Sequence, residues 1–393
     1  MNQPYAAFAH LPTPDLPQLR LGLRALEHNV RLMADWCRER GVELAPHIKT
    51  TMTRPVVERQ MAAGAWGVTV ATVRQAGMAL EWGLRRIVIA NEVVHGPGLA
   101  LVRQWLDALP GLELFCFVDS AAGAGLARSA MDGATNPLRV LVDVGAPGGR
   151  TGVREAEAAY ALGKAVAEAP SGLLLAGVAG YEGIRPNRRD AETVAGVDRH
   201  CRQAAEVFHG LAPLIQAERP VFSMGGSAFP DRAVAAHQEA AAHQEAAGQL
   251  GGSDAVFVLR SGCYVTHDHG TYEHVSPFPG LEAALTVRAV VLSAPEPGLV
   301  VVGAGKRELP YDAGLPVLVG ACDPQGVPRP AATGTAAQIF DHHLVLSDAH
   351  GLYVGDEVDL GISHPCSAFD KWPDITVVDH EGAAPQVWHP RFR

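Results

Sequence analysis

At 393 residues the chain exceeds the roughly 250–300 at which a single core stops growing, so two domains are expected. Hydrophobic residues make up 48% and charged residues 19%, against a usual charged share of about 25%, which excludes disorder as the dominant state. A formal net charge of −10 leaves no electrostatic footprint for nucleic acid or an anionic membrane, and the default reading is an enzyme acting on a small molecule.

The N-terminus has no basic region followed by an apolar stretch, and no apolar run approaches the roughly 18 residues that span a bilayer. A soluble, unprocessed protein is expected. The cysteines Cys37, Cys116, Cys201, Cys263, Cys322 and Cys366 are scattered without CxxC spacing, which fits a reducing cytoplasm. Lysine occurs only at Lys49, Lys164, Lys306 and Lys371, so chemistry that needs an amine has few candidates.

From residue 20 to 279, short β-rich runs alternate with alanine-rich amphipathic stretches, the rhythm of βα units. The predicted strands are VELAPHI, GVTVA, RIVIAN, LELFCFVD, LRVLVDV, LLLAGVAGY, PVFSM and AVFVLR. This number suits a closed (β/α)8 TIM barrel, with a doubly wound open sheet as the alternative. Between the last two strands the duplication AHQEAAAHQEAA, Ala236 to Ala247, reads as a solvated helix with His237 and His243 on different faces. From 280 to 393, strand-length apolar segments punctuated by turn signals predict a smaller, mostly β domain, with residues 1–19 packing against it.

In a barrel, catalytic groups follow the C-terminal ends of the strands. Strand one leads into His47-Ile48-Lys49-Thr50, strand five into Arg150 and strand six into Tyr181. Gly225-Gly226-Ser227 and Gly262-Cys263-Tyr264 follow strands seven and eight, where bare backbone N–H groups can cradle a phosphate; ordinary barrel turns are the alternative. Lys49 at the mouth is costly to desolvate unless it is paired or used covalently, so a salt bridge competes with a Schiff base. A lysine opposite a phosphate cradle is what pyridoxal phosphate requires.

Here a resemblance enters. Pro46-His47-Ile48-Lys49-Thr50 resembles the lysine motif of the alanine-racemase-fold enzymes that act on D-amino acids, the D-serine dehydratase and D-threonine aldolase family. Gly67-Val68-Thr69-Val70-Ala71-Thr72 with Gln75-Ala76, Arg150-Thr151-Gly152-Val153, Tyr181-Glu182-Gly183, Gly225-Gly226-Ser227 and Arg260-Ser261-Gly262-Cys263-Tyr264 follow in the family's order over nearly the whole chain. Two departures stand out. Thr51 replaces the histidine usual after Lys-Thr, and the turn before Arg150 is longer than the family's.

The resemblance implies that Lys49 is the catalytic residue, holding pyridoxal 5'-phosphate as a Schiff base, with His47 in the same cofactor site. It also implies that Arg150 lies near the ring's phenolate oxygen, that Tyr181 contacts the ring, and that Gly225, Gly226, Ser227, Gly262 and Tyr264 bind the phosphate.

The β domain carries Gly361-Ile362-Ser363-His364-Pro365-Cys366. In an extended segment His364 and Cys366 project to one side and can share a metal ion; a buried cysteine beside an incidental histidine is the plainer reading of the spacing. The resemblance implies a metal here, with Cys as second ligand in the dehydratases and Asp in the aldolases. A thiolate and an imidazole favour Zn2+, whereas a carboxylate suits Mn2+ or Mg2+. Lys306 and Asp312 are assigned to packing. A site role and a turn cap both remain open for His342, and a pocket-shaping role and a surface ion pair for Asp370-Lys371-Trp372.

The implied activity is a metal-dependent lyase of 3-hydroxy-D-amino acids, with Cys366 favouring dehydration over aldol cleavage. Retro-aldol cleavage to glycine and an aldehyde, a non-catalytic cofactor carrier, a racemase and a phosphate-ester barrel enzyme are the alternatives. A cytoplasmic homodimer is implied, with no nucleic-acid or membrane partner.

Overall fold

The computed structural model describes residues 15–168, 172–183, 185–246, 255–378 and 386–392. Two compact units result. One holds Arg24–His267, Thr271–Glu282 and Pro390–Arg393; the other holds the chain through Leu23, Asp268–Gly270 and Ala283–His389.

β1 (Gln18–Gly22) belongs to the second unit, and the first unit begins at Arg24, within the helix Leu23–Glu39. The strands that follow are β2 (Glu43–Leu44), β3 (Val68–Val70), β4 (Arg86–Glu92), β5 (Glu113–Val118), β6 (Leu138–Val144), β7 (Leu173–Gly180), β8 (Val221–Ser223) and β9 (Val256–Leu259). All are parallel, in the order β2-β9-β8-β7-β6-β5-β4-β3. A bridge between His47 and Thr69, with Trp66 N–H donating to Leu44 O at 2.8 Å, brings β2 to β3 and nearly closes the ring. The barrel expected from the sequence is therefore the fold.

Side chains alternate across each strand, so one set points inward. Ala45, Val88, Phe115, Phe117, Leu141, Ala176, Ala179, Val221, Val256 and Val258 form the buried cluster that fills the ring. The interior is a packed core rather than a pore, and chemistry is confined to the ends of the strands.

Helix Pro230–Ala246 corrects one expectation. His237 does not face solvent: its ring lies 4.8 Å from that of Phe257 and 5.7 Å from that of Phe222. Ala247, the last residue of the duplication, lies outside the described residues, as do residues 1–14 of the segment expected to pack on the β domain.

The second unit is a single nine-stranded sheet built from β1 with β10 (Leu285–Glu296), β11 (Leu299–Val302), β12 (Val317–Cys322), β13 (Thr333–Ile339), β14 (Leu344–His350), β15 (Glu357–Gly361), β16 (Ile375–Val378) and β17 (Gln386–Trp388). β1 pairs antiparallel with β10 and parallel with β16, while β15 joins β10 to β12. No helix among the described residues is long and apolar enough to cross a membrane.

Candidate active site and metal centre

Lys49 sits in a single 3-10 turn, Ile48–Thr50, immediately beyond the His47–Thr69 bridge. Its two neighbours on that turn, Ile48 and Thr50, are buried, which fixes the backbone and leaves Lys49 half-buried at the mouth. Burial, followed by the charges of Lys49 and Arg260, pushes the His47 imidazole well below its ordinary range. His47 is therefore neutral, and its buried Nδ1 has no hydrogen-bond partner among the described residues.

The two glycine turns are laced to each other and to this segment. Ser227 Oγ accepts the N–H groups of Gly262 and Cys263 at 3.2 and 3.1 Å, and Ser261 Oγ donates to Gly226 O at 2.5 Å. A Cβ on Gly262 would stand 2.5 Å from His47 O, so only glycine lets this turn close on the lysine segment. Gly225 holds φ at +99°, a conformation that disfavours side chains.

Tyr181 and Arg150 form the opposite wall. The Arg150 guanidinium lies 4.5 Å from the centre of the Tyr181 ring, a cation–π contact. Gly226 lies against the same ring, and its N–H donates to Glu182 Oε1 at 2.6 Å. Lys49, His47, Gly225, Gly226, Ser227 and Gly262 thus surround one end of the barrel, with Arg150 and Tyr181 at its β6 and β7 edge.

The Tyr264 hydroxyl is turned elsewhere. It accepts from Gln60 Nε2 at 3.0 Å and lines a cavity of about 370 Å³ beside Val42, Glu43 and Leu44, where the chain enters β2. The N–H groups that reach Ser227 are those of Gly262 and Cys263, the two residues before Tyr264.

Two residues carry more of the site than the sequence reading gave them. Arg260 is buried, donating to Ser223 Oγ at 2.5 Å and Gly180 O at 2.6 Å, with Glu182 and Asp143 as its nearest countercharges. Glu182 is fully buried; burial raises its carboxyl above the usual range, and Oε2 has no partner among the described residues. A charged residue just beyond the end of an apolar strand was the available signal for both, because such residues are rarely buried without a purpose.

In the β unit, His364 Nδ1 pairs with Asp312 Oδ2 at 2.7 Å, and Ser367 Oγ donates to Asp312 Oδ1 at 2.5 Å. The ligand atoms of His364 and Cys366 lie within 4.8 Å of each other. Burial pulls the imidazole down, but Cys366 and Asp312 outweigh it and hold it up at about 9. Asp312 is therefore no packing residue: it orients the histidine, as carboxylates do for metal-binding imidazoles. His342 pairs with Glu308 Oε1 at 2.7 Å on the surface, and Lys371 Nζ donates to Lys306 O at 2.9 Å, with no ion pair among the described residues.

Residues 284–378 match the family model described as "Putative serine dehydratase domain", and residues 21–246 the model described as "Alanine racemase, N-terminal domain". The chain is 30% identical over 384 residues to a D-threonine aldolase from Arthrobacter sp, covering 95% of this chain and 91% of that protein. The chain belongs to the D-serine dehydratase and D-threonine aldolase family. Another relative in that family, D-threo-3-hydroxyaspartate dehydratase from Delftia sp. (strain HT23), is 25% identical over 403 residues, covering 96% of this chain and 97% of its own. The crystal structure of D-threonine aldolase from Filomicrobium marinum superposes with a TM-score of 0.78 at 27% identity, over 95% of this chain and 94% of that one.

The family implies pyridoxal phosphate and a divalent metal, and the residues present fit both. For the cofactor, His47 Nδ1 and Glu182 Oε2 are buried polar atoms that lack partners among the described residues. For the metal, Cys366 and a carboxylate-backed His364 make a soft donor pair suited to Zn2+.

Proposed function

We propose that the protein is a lyase that dehydrates 3-hydroxy-D-amino acids to a 2-oxo acid and ammonia. The observation that carries this reading is the His364–Asp312 pair with Cys366 beside it, a soft metal-binding set in a chain whose barrel also carries Lys49 on the turn against which Gly262 closes.

Bound pyridoxal phosphate supplies an electron sink for the charge that develops at the substrate's α-carbon. His364 and Cys366 would hold the metal, which supplies Lewis acidity toward the 3-oxygen. Lys49 Nζ would take the α-proton, since Lys49 is the lysine carried on the turns at the barrel mouth. The neutral His47 offers hydrogen bonding without a competing charge. Arg150, pinned over Tyr181, presents a permanent cation to an anionic oxygen, and Ser227 with the Gly262 turn offers the phosphate an ordered backbone. For D-serine the water lost at the β-carbon returns when the imine hydrolyses, so the net change is substrate to pyruvate plus ammonia.

Retro-aldol cleavage is the second reading, favoured by the 30% identity to D-threonine aldolase. The test is oxo-acid release from D-serine by the loaded enzyme, with and without a chelator. Chelator-sensitive pyruvate supports dehydration, and its absence at saturating substrate overturns it.

A further inference from the structure

Arg150 is carried on the turn after β6, and one neighbouring side chain dictates that turn's shape. Arg154 Nη1 donates to the carbonyls of Thr151 and Gly152, both at 2.7 Å, and Nη2 to those of Arg150 at 2.5 Å and Gly149 at 3.4 Å. Four consecutive carbonyls therefore converge on one guanidinium. Oxygens turned toward a common point repel one another unless a cation sits there, and the planar fork of arginine is the side chain that satisfies several at once.

The surrounding backbone is built for this convergence. At Gly145 a Cβ would fall 1.9 Å from Arg154 Nη1, and at Gly152, with φ at +100°, it would fall 2.4 Å from Gly145 N. Two carboxylates fix the outer side: Asp119 Oδ2 accepts Gly152 N–H at 3.1 Å, and Asp143 Oδ2 accepts the Thr151 hydroxyl at 2.9 Å. Val153 closes the base, donating to Asp143 O at 2.8 Å and accepting from Gly145 N at 2.9 Å. Arg154's own carbonyl takes a hydrogen bond from Gln203 Nε2 at 2.9 Å, tying the clamp to helix Ala191–Leu211.

We propose that Arg154 is a positioning residue for Arg150: by gathering the carbonyls of residues 149–152 it holds the Arg150 guanidinium over Tyr181, facing the cofactor. The inference rests on the proposed function, in which Arg150 meets an anionic oxygen of pyridoxal phosphate.

The experiment compares R154Q, R154K, R150M and R150M/R154Q in the full-length protein. Each is followed by its melting temperature, by titration of the apo form with pyridoxal phosphate through visible absorbance, and by kcat and KM. R154Q is expected to weaken cofactor binding about tenfold or more, matching R150M, as expected for a lost charge-assisted contact. The double variant is expected to bind no more weakly than R150M alone, because residues acting through one another are not additive. R154K, which keeps the charge but loses the fork, is expected to recover part of the loss. Should R154Q fail to fold, the loss in R154K must likewise vanish in the R150M background. Wild-type affinity in R154Q, or losses that multiply in the double variant, would overturn the proposal. If R150M itself leaves cofactor binding unchanged, it is the placement of Arg150 in the proposed function that fails.

Discussion

Gly226 packs tightly against the Tyr181 ring, and Gly226→Ala probes that contact. A Cβ there would stand 2.8 Å from Tyr181 Cε2 and 3.3 Å from Glu182 Oε1. Carbon atoms rest at about 3.5–4.0 Å, so the tyrosine ring must retreat by roughly 0.7–1.2 Å. It cannot do so alone, because the Arg150 guanidinium lies over it at 4.5 Å. Glu182 is equally constrained: it holds the Gly226 N–H at 2.6 Å and is buried, so moving it exposes an unsatisfied donor. Overpacking of this kind costs about 1–3 kcal/mol. If that cost falls on the bound state, pyridoxal phosphate binds roughly 5- to 150-fold more weakly. The assay is absorbance titration of the apo protein, together with denaturant unfolding. Gly125→Ala is the control: within helix Ala121–Met131 its Cβ would meet nothing within 4 Å. That variant should gain up to about 1 kcal/mol of stability with unchanged cofactor affinity. Wild-type affinity and stability in G226A, with G125A behaving as stated, would refute the argument that this turn is packed to its limit.

Further expectations follow from the same geometry. Tyr264→Phe leaves Gln60 without its buried partner and should cost about 1–3 kcal/mol of stability by denaturant unfolding, with cofactor affinity within about twofold of wild type. Burial pulls the imidazoles of His200 and His237 down to about 4, against about 6.5 when unfolded. The unfolded chain then binds more protons, so their stabilising contribution is complete above about pH 6.5 and is lost as pH falls toward 4. Glu92, raised to about 7 by burial and by Asp143, acts in the opposite sense, so the test is the change in slope. His237→Leu should flatten the acid limb of a melting-temperature profile, and an unaltered limb would show that its burial is not the cause. Lys49→Ala should lower kcat about 100- to 10,000-fold and abolish the visible absorbance of the bound cofactor. Asp312→Ala, which removes the orienting carboxylate, should weaken metal affinity about 10- to 100-fold in competition with a chromogenic chelator.

Much of the barrel was legible because each strand is an apolar run bounded by turn residues, and those runs are what a ring buried on both sides requires. Their lengths were less so. β2 keeps only two residues of VELAPHI and β8 only three of PVFSM, because the neighbouring loops take over the hydrogen bonding as the chain turns to present Lys49 and the glycine turn. The duplicated segment defeated periodicity for a different reason: alanine fills both faces of the helix, so nothing marked His237 as the residue that stacks on Phe257. Motif spacing found His364 and Cys366, which are two residues apart, but Asp312 is 52 residues from His364 and is joined to it only by the fold. Arg260 and Glu182 stood in the quoted motifs without a role of their own because charge is a surface signal in sequence, whereas here each answers the other's charge below the mouth of the barrel.

The central claim is that metal-assisted loss of the 3-hydroxyl, rather than cleavage of the Cα–Cβ bond, is the reaction. D-threonine tests it in a single vessel, because dehydration yields 2-oxobutyrate and ammonia while retro-aldol cleavage yields glycine and acetaldehyde. With the purified enzyme loaded with pyridoxal phosphate and Zn2+, the account predicts 2-oxobutyrate as the principal product, abolished by chelator and restored by metal. Glycine and acetaldehyde in its place would contradict the account and assign the chain to the aldolases.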